Sequence, residues 1–311
     1  MPGARRSEGA MTWPEALPDD GSSTVVAMIA LAPTGRTLAG MLAFLPSPPR
    51  NALHIGSLQL RAYGLLIALG VLAAAWFAQR RAERRGVPAS AIGDVATWAV
   101  PAGLVGARLY SVVTDPERLH SWVDAFKIWE GGLGIWGGIA AGVGVGWWVA
   151  RRKGYPATVL LDVVAPALPL AQAIGRWGNY FNQELFGRPS RLPWALKIDV
   201  AHRPAGYERF ATFHPTFLYE ALWDLAVVAI VLAVERHVRL RTGYLLAVYV
   251  AAYTFGRFFT EWLRIDDTHR FLGLRLNDWT SIVVFTVALI LLVARGRASV
   301  DSPRASEVTT T

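Results

Sequence analysis

The chain has 311 residues, of which 53% are hydrophobic and only 17% charged, with a formal net charge of +8 and no cysteine. Soluble domains carry roughly 25% charged residues, so most of this surface is built to face something other than water. The missing thiol excludes disulfides, thiolate metal sites and a cysteine nucleophile, so any sulfur in the chemistry must belong to a substrate.

The positive charge does not point to nucleic acid. It sits in Arg clusters within short loops between apolar blocks, without aromatic interleaving, as on the cytoplasmic face of a membrane protein. Residues 1–40 hold a polar start (Met1–Ser23) and an apolar run, Val25–Ala32, too short to span a bilayer. They read as a disordered extension, or as sequence upstream of a true start at Met41.

Residues 41–297 are expected to form one transmembrane domain, and 298–311 a disordered cytoplasmic tail rich in Ser and Thr. Apolar blocks of spanning length fall at about 60–79, 92–113, 131–150, 158–176, 215–235, 244–263 and 279–295. The expected fold is therefore all-α and polytopic, with about seven transmembrane helices. A polar stretch of about 179–213, with Pro189, Pro193 and Pro204, reads as a small extracytoplasmic head between spans four and five. Basic runs follow the first span (Arg80–Arg85), the third (Arg151–Lys153), the fifth (Arg236–Arg241) and the seventh (Arg295, Arg297). These loops belong inside, which puts the N-terminus outside and the C-terminus in the cytoplasm. No internal repeat is evident, which counts against a transporter built from inverted halves.

Ionisable groups within spans are costly and tend to be functional. In this topology Tyr63 opens span one and Arg108 lies near the outer end of span two. Gly131–Gly138, which contains Trp136, opens span three. Arg176 ends span four, His214 and Glu220 open span five, and Tyr253, Arg257, Glu261 and Arg264 end span six. All fall in the outer half. An ion pathway would scatter such groups through the bilayer, whereas a site drawing lipid from the outer leaflet would gather them.

Three motifs carry the chemistry. Gly175–Gly187 combines helix-breaking glycines with Arg176, Asn179, Asn182 and Glu184. It reads either as a phosphodiester site or as a capped polar helix end with an ordinary Arg–Glu pair. Tyr253, Arg257, Glu261 and Arg264 share one helical stripe, where Arg257 and Glu261 can pair and Arg264 exceeds what Glu261 neutralises. His214-Pro215-x3-Tyr219-Glu220 places Pro in a first helical turn. Its His reads equally as a cap and its Glu as dipole compensation.

Together with Tyr63-Gly64-Leu65 and Gly106-Ala107-Arg108, these motifs resemble the prolipoprotein diacylglyceryl transferase family, from Leu45 to the last span. The long Gly-Arg-x-Gly-Asn-x2-Asn-x-Glu-x2-Gly signature is its most specific part. The resemblance implies a multi-pass enzyme of the bacterial cytoplasmic (inner) membrane, with its site toward the outer leaflet and no cofactor or metal. It implies transfer of diacylglyceryl from phosphatidylglycerol to the lipobox cysteine of a prolipoprotein signal peptide, giving a thioether and glycerol phosphate. It assigns catalytic roles to Arg176, Arg257, Glu261, Arg264 and Tyr63, with phosphate binding by Arg176 and Arg257. Substrate contacts fall to Asn179, Asn182, Glu184, Gly187, Tyr253, His214, Glu220, Arg108 and Trp136. One departure stands out: many family members have His where this chain has Trp136, so a base role for that His cannot apply here. Two other readings stay open at this point, a lipid transporter or flippase and an intramembrane protease using Glu184, Glu220 or Glu261.

Overall fold

The structure is a computed structural model that describes residues 44–296, apart from 49, 56, 57, 267, 269 and all of 115–133 except 116, 121 and 123. The expected extension 1–40, the tail 298–311 and Gly131–Leu133 of the third-span motif lie outside the described residues. Long apolar runs become helices because a backbone away from water must satisfy its own hydrogen bonds, and α2 continues through Pro101. In chain order the helices are α1 (Ala62–Arg84), α2 (Ser90–Thr114), α3 (Ile135–Arg152), α4 (Ala157–Val164), α5 (Ala167–Asn182), α6 (Thr216–His237), α7 (Leu245–Leu263) and α8 (Leu276–Arg295). Among the described residues four helical stretches are long and apolar enough to cross a membrane: α1, α4 with α5, α6 and α8. α2 and α3 exchange Leu for Gly and Ala, and α7 carries Arg257 and Glu261, which lowers their apolar character.

The fourth expected span is not one helix. It breaks between α4 and α5, at Ala165-Pro166, and runs on to Asn182. Pro166 has no N–H for the carbonyl of Asp162 four residues back. The buried Arg81 of α1 replaces it, donating from Nη2 to the Asp162 carbonyl at 3.1 Å and from Nε to that of Val163 at 3.1 Å.

Neighbours pack in the order α1 on α5, α5 on α6, α6 on α7 and α7 on α8, while α2 and α3 form a separate tight pair. That pair depends on small residues. A Cβ on Gly106 would stand 2.4 Å from the Ala141 Cβ and 2.5 Å from the Gly137 carbonyl. The two ends of the bundle differ. At one end Arg81 and Arg85 pair with Glu235, Lys153 pairs with Asp94 at 2.9 Å, and the buried Asp162 accepts from the N–H groups of Gly243 (2.9 Å) and Leu245 (3.0 Å).

The all-α expectation needs one correction, because the other end carries three short antiparallel hairpins. They are β1–β2 (Ala52–Ile55, Leu58–Arg61), β3–β4 (Leu196–Lys197, Thr212–Phe213) and β5–β6 (Arg270–Phe271, Leu274–Arg275). Elements this short leave no period-2 pattern in a sequence. Between α5 and α6 the chain folds as a small unit around Phe186, Leu196, Ile198, Phe213 and Phe217. Leu45 adds to the edge of β3, and Pro189 bridges to Phe213 of β4.

Candidate active site

The hairpin-bearing end gathers the expected polar residues because the helices alternate in direction. α5 and α7 finish there, and α1, α6 and α8 begin there. Glu220, in the second turn of α6, pairs with the Arg176 guanidinium (Nη1) at 3.0 Å on one oxygen and accepts from Arg257 Nη1 at 2.8 Å on the other. Arg176 also donates to the Tyr253 hydroxyl at 3.3 Å, and its Nε lies 3.9 Å from a carboxylate oxygen of Asp224 that has no hydrogen-bond partner. Both guanidiniums remain partly open, with 16% and 19% of their side chains exposed.

Glu261 is fully buried and extends the chain of charges. It binds Arg257 Nη2 at 2.8 Å, Arg275 Nε at 2.9 Å and Arg264 Nη1 at 3.6 Å, and accepts from Asn277 at 3.0 Å. Arg264 has a second carboxylate beside Glu261. Asp266 takes its fork at 2.8 and 3.0 Å and binds Arg275 at 2.8 Å as well. Burial pushes the Asp266 carboxyl up, but the bonds and charges of Arg264 and Arg275 outweigh it and hold the group below the usual range. Burial likewise works against the Arg264 cation, and Asp266 with Glu261 more than restores it.

A second cluster lies past the end of α5. Glu184 is exposed and accepts from Asn179 at 2.9 Å and Asn182 at 3.2 Å, all on one oxygen. Tyr63, opening α1, packs its ring against Gly178, where a Cβ would stand 2.4 Å from it, and lies within electrostatic reach of Glu184 and Arg176. Gly187 bridges to Arg264 and joins the two clusters.

The His214 side chain takes no part in the ion pairs around Glu220 and Glu261, although its carbonyl accepts from the Gly187 N–H at 2.9 Å. His214 faces the small β-containing unit, with Nδ1 3.2 Å from the Tyr219 hydroxyl, which accepts in turn from Trp194 at 2.9 Å. Burial, then the charge of Arg188, keeps its imidazole below its ordinary pKa. Trp136 lies at the start of α3 with 44% of its surface exposed, and Arg108 is half-buried near the end of α2.

A family model described as prolipoprotein diacylglyceryl transferase matches residues 50–294. The chain belongs to that family. It is 55% identical over 256 residues to phosphatidylglycerol–prolipoprotein diacylglyceryl transferase 2 of Streptomyces coelicolor, covering 81% of each chain. The like-named protein of Streptomyces griseus is 52% identical, with 81% of this chain and 78% of that one covered. That of Cutibacterium acnes is 46% identical, with 85% and 92% covered.

Within this prolipoprotein diacylglyceryl transferase fold, the structure adds residues that motif reading passed over. Asp224 follows Glu220 by four positions, so it shares a helical face with it, a spacing that could have flagged it. Arg275 and Asn277 announce themselves only as polar residues at the start of α8. Asp266 lay in a loop without a signature.

Proposed function

We propose that this chain transfers the diacylglyceryl group of phosphatidylglycerol to a prolipoprotein, as the names of its relatives state for them, and that the acceptor is a cysteine thiol. The observation that carries the reading is the bridging of Arg176 and Arg257 by the two oxygens of Glu220. One braced carboxylate holds two planar donor forks side by side, and such forks match the oxygens of a phosphodiester. The thiolate sulfur bonds to the terminal glycerol carbon of the diacylglyceryl group while that carbon's bond to the phosphate oxygen breaks. Negative charge then develops on the departing glycerol phosphate, where preorganised guanidinium donors are most effective. The thiol proton is lost to solvent or to the phosphate. The enzyme, having no cysteine, supplies no competing thiol. Asn179, Asn182 and Glu184 hold the glycerol headgroup. Tyr63 and Tyr253 flank the phosphate, and Glu261 with Arg264 braces Arg257.

The same reading sets the chain in the bacterial cytoplasmic membrane with seven crossings, α4 and α5 together making one. The end rich in Arg, around Arg81, Arg152 and Arg239, faces the cytoplasm. The clusters face the outer leaflet, with the β3–β4 unit as an extracytoplasmic head. The lipobox cysteine of the signal peptide is the acceptor. Purified enzyme, labelled phosphatidylglycerol and a lipobox peptide test the reaction. Label on the peptide with release of glycerol phosphate supports it, while peptide cleavage, or lipid movement without label transfer, overturns it.

A further inference from the structure

We propose that Gln183 and Asp199 are a positioning pair that aims Glu184 at the glycerol headgroup, tying the head to the substrate end of the site. The inference rests on the reading of Glu184 as a headgroup residue. α5 ends at Gln183 in the left-handed region, with φ 51° and ψ 47°. Glycine is the usual occupant of that position, because a Cβ there is strained. Leu185 is left-handed too, at φ 57°. Among the described residues three non-glycine residues have positive φ, and two of them flank Glu184. Such strain persists only where surroundings over-determine it, and it concentrates at functional sites.

The surroundings do over-determine it here. Gln183 is buried, donating from Nε2 to an Asp199 carboxylate oxygen at 2.6 Å and accepting at Oε1 from the Asp199 backbone N–H at 2.8 Å. On the other side, the buried Thr216 hydroxyl donates to the Leu185 carbonyl. Asp199 stands at the N-cap of the 3-10 turn Val200–His202, a position where an Asp side chain ordinarily caps free N–H groups. It makes no such bond, because its carboxylate is turned to Gln183. Two locally favourable arrangements, a glycine helix end and an Asp cap, are thus both forgone for one contact. The outcome is a Glu184 whose N–H is tied to the Asn179 carbonyl at 3.1 Å and whose Oε1 is shared by two Asn amides. Oε2 takes no part in those bonds and is presented on an exposed side chain, as an acceptor for a headgroup hydroxyl. The ligand chemistry is a polyol phosphodiester.

The test uses the full-length enzyme in nanodiscs, with phosphatidylglycerol and lipobox peptide varied separately. Gln183→Leu keeps the strained backbone but loses both bonds, and Asp199→Ala, at an exposed position, loses the carboxylate. Each is expected to raise KM for phosphatidylglycerol about tenfold, in line with loss of a hydrogen bond to a charged group, with KM for the peptide unchanged. Asp199→Asn, which keeps an acceptor for Gln183, restores a near-normal value. The decisive comparison is Gln183→Leu combined with Glu184→Gln. If the pair acts through Glu184, the double variant has the KM of Glu184→Gln alone. Additive effects, or a lowered thermal midpoint with unchanged lipid KM in both single variants, overturn the pairing. A Glu184→Gln enzyme with normal lipid KM overturns the headgroup reading itself, whatever Gln183 does. Should Gln183→Leu fail to fold, Asp199→Ala combined with Glu184→Gln gives the same comparison.

Discussion

Glu220 divides one carboxylate between two guanidiniums, and that division decides what a substitution at either Arg does. Lys at 176 or 257 can keep a point charge near Glu220 but cannot hold the carboxylate with one edge and a phosphate with another. Arg176→Lys and Arg257→Lys are each expected to lower turnover by about 10²–10³, the usual cost of one preorganised donor to a developing oxyanion. Label transfer under saturating lipid checks this. Normal turnover in both variants would leave the pair a structural brace. His214 behaves differently. Burial and Arg188 hold its imidazole below its ordinary value, so it is neutral at pH 7 and titrates only further into acid. Its loss therefore removes no charge from the working range. His214→Gln and Trp136→Phe are expected to keep substantial activity. Their rates should rise with pH along the same thiol titration as the parent, near pKa 8.5 or below it if the Arg cluster acts on the substrate. A folded but inactive His214→Gln enzyme would return the proton to a discrete base.

At the scale of elements, what the sequence could disclose depended on length. Runs of about 20 apolar residues carry their own signal, and each expected span coincides with a helix or, for the fourth, with a pair. The break at Pro166 was present in the sequence as Pro. Its consequence was not, because the replacement donor, Arg81, comes from 85 residues away in chain order. The same holds at the site. Stripes such as Tyr253-Arg257-Glu261-Arg264 are visible within one helix, whereas the capture of Arg264 by Asp266 and of Glu261 by Arg275 is tertiary. Arg81→Ala would leave the Asp162 and Val163 carbonyls without this donor and the Glu235 carboxylate with Arg85 alone. About 1–3 kcal/mol of stability should be lost, as for a buried acceptor left unsatisfied, read as an early unfolding midpoint in detergent while folded enzyme keeps its KM. Gly106→Leu should act similarly by forcing α2 from α3, and an unaltered midpoint would show that the pair is looser than its contacts indicate.

For the whole molecule, the two ends are chemically distinct, and that difference gives the orientation a direct check. Since the chain has no cysteine, single cysteines report without background. Cysteines at Arg84, Arg152 and Arg239 should resist an impermeant reagent in intact cells, while one at the exposed Arg209 of the head should react. Reversed labelling would invert the molecule and detach the site from the outer leaflet.

Among the described residues the two ionic networks do not meet. On α6, Asp224 belongs to the one at the site and Glu235 to the one at the opposite end, eleven residues or about 16 Å of helix apart. Val227 and Val231, both fully buried, fill the interval together with Ala165 and Val248. Such a layer is an insulator. Tyr249, whose hydroxyl donates to Gln172 at 3.1 Å, packs against it, but among the described residues no carboxylate or guanidinium belongs to the layer. Protons therefore have no continuous relay, and the one released by each thiol emerges on the side of the site. An enzyme built this way can turn over in an energised membrane without drawing on the voltage across it, and its rate should be the same in polarised and depolarised vesicles.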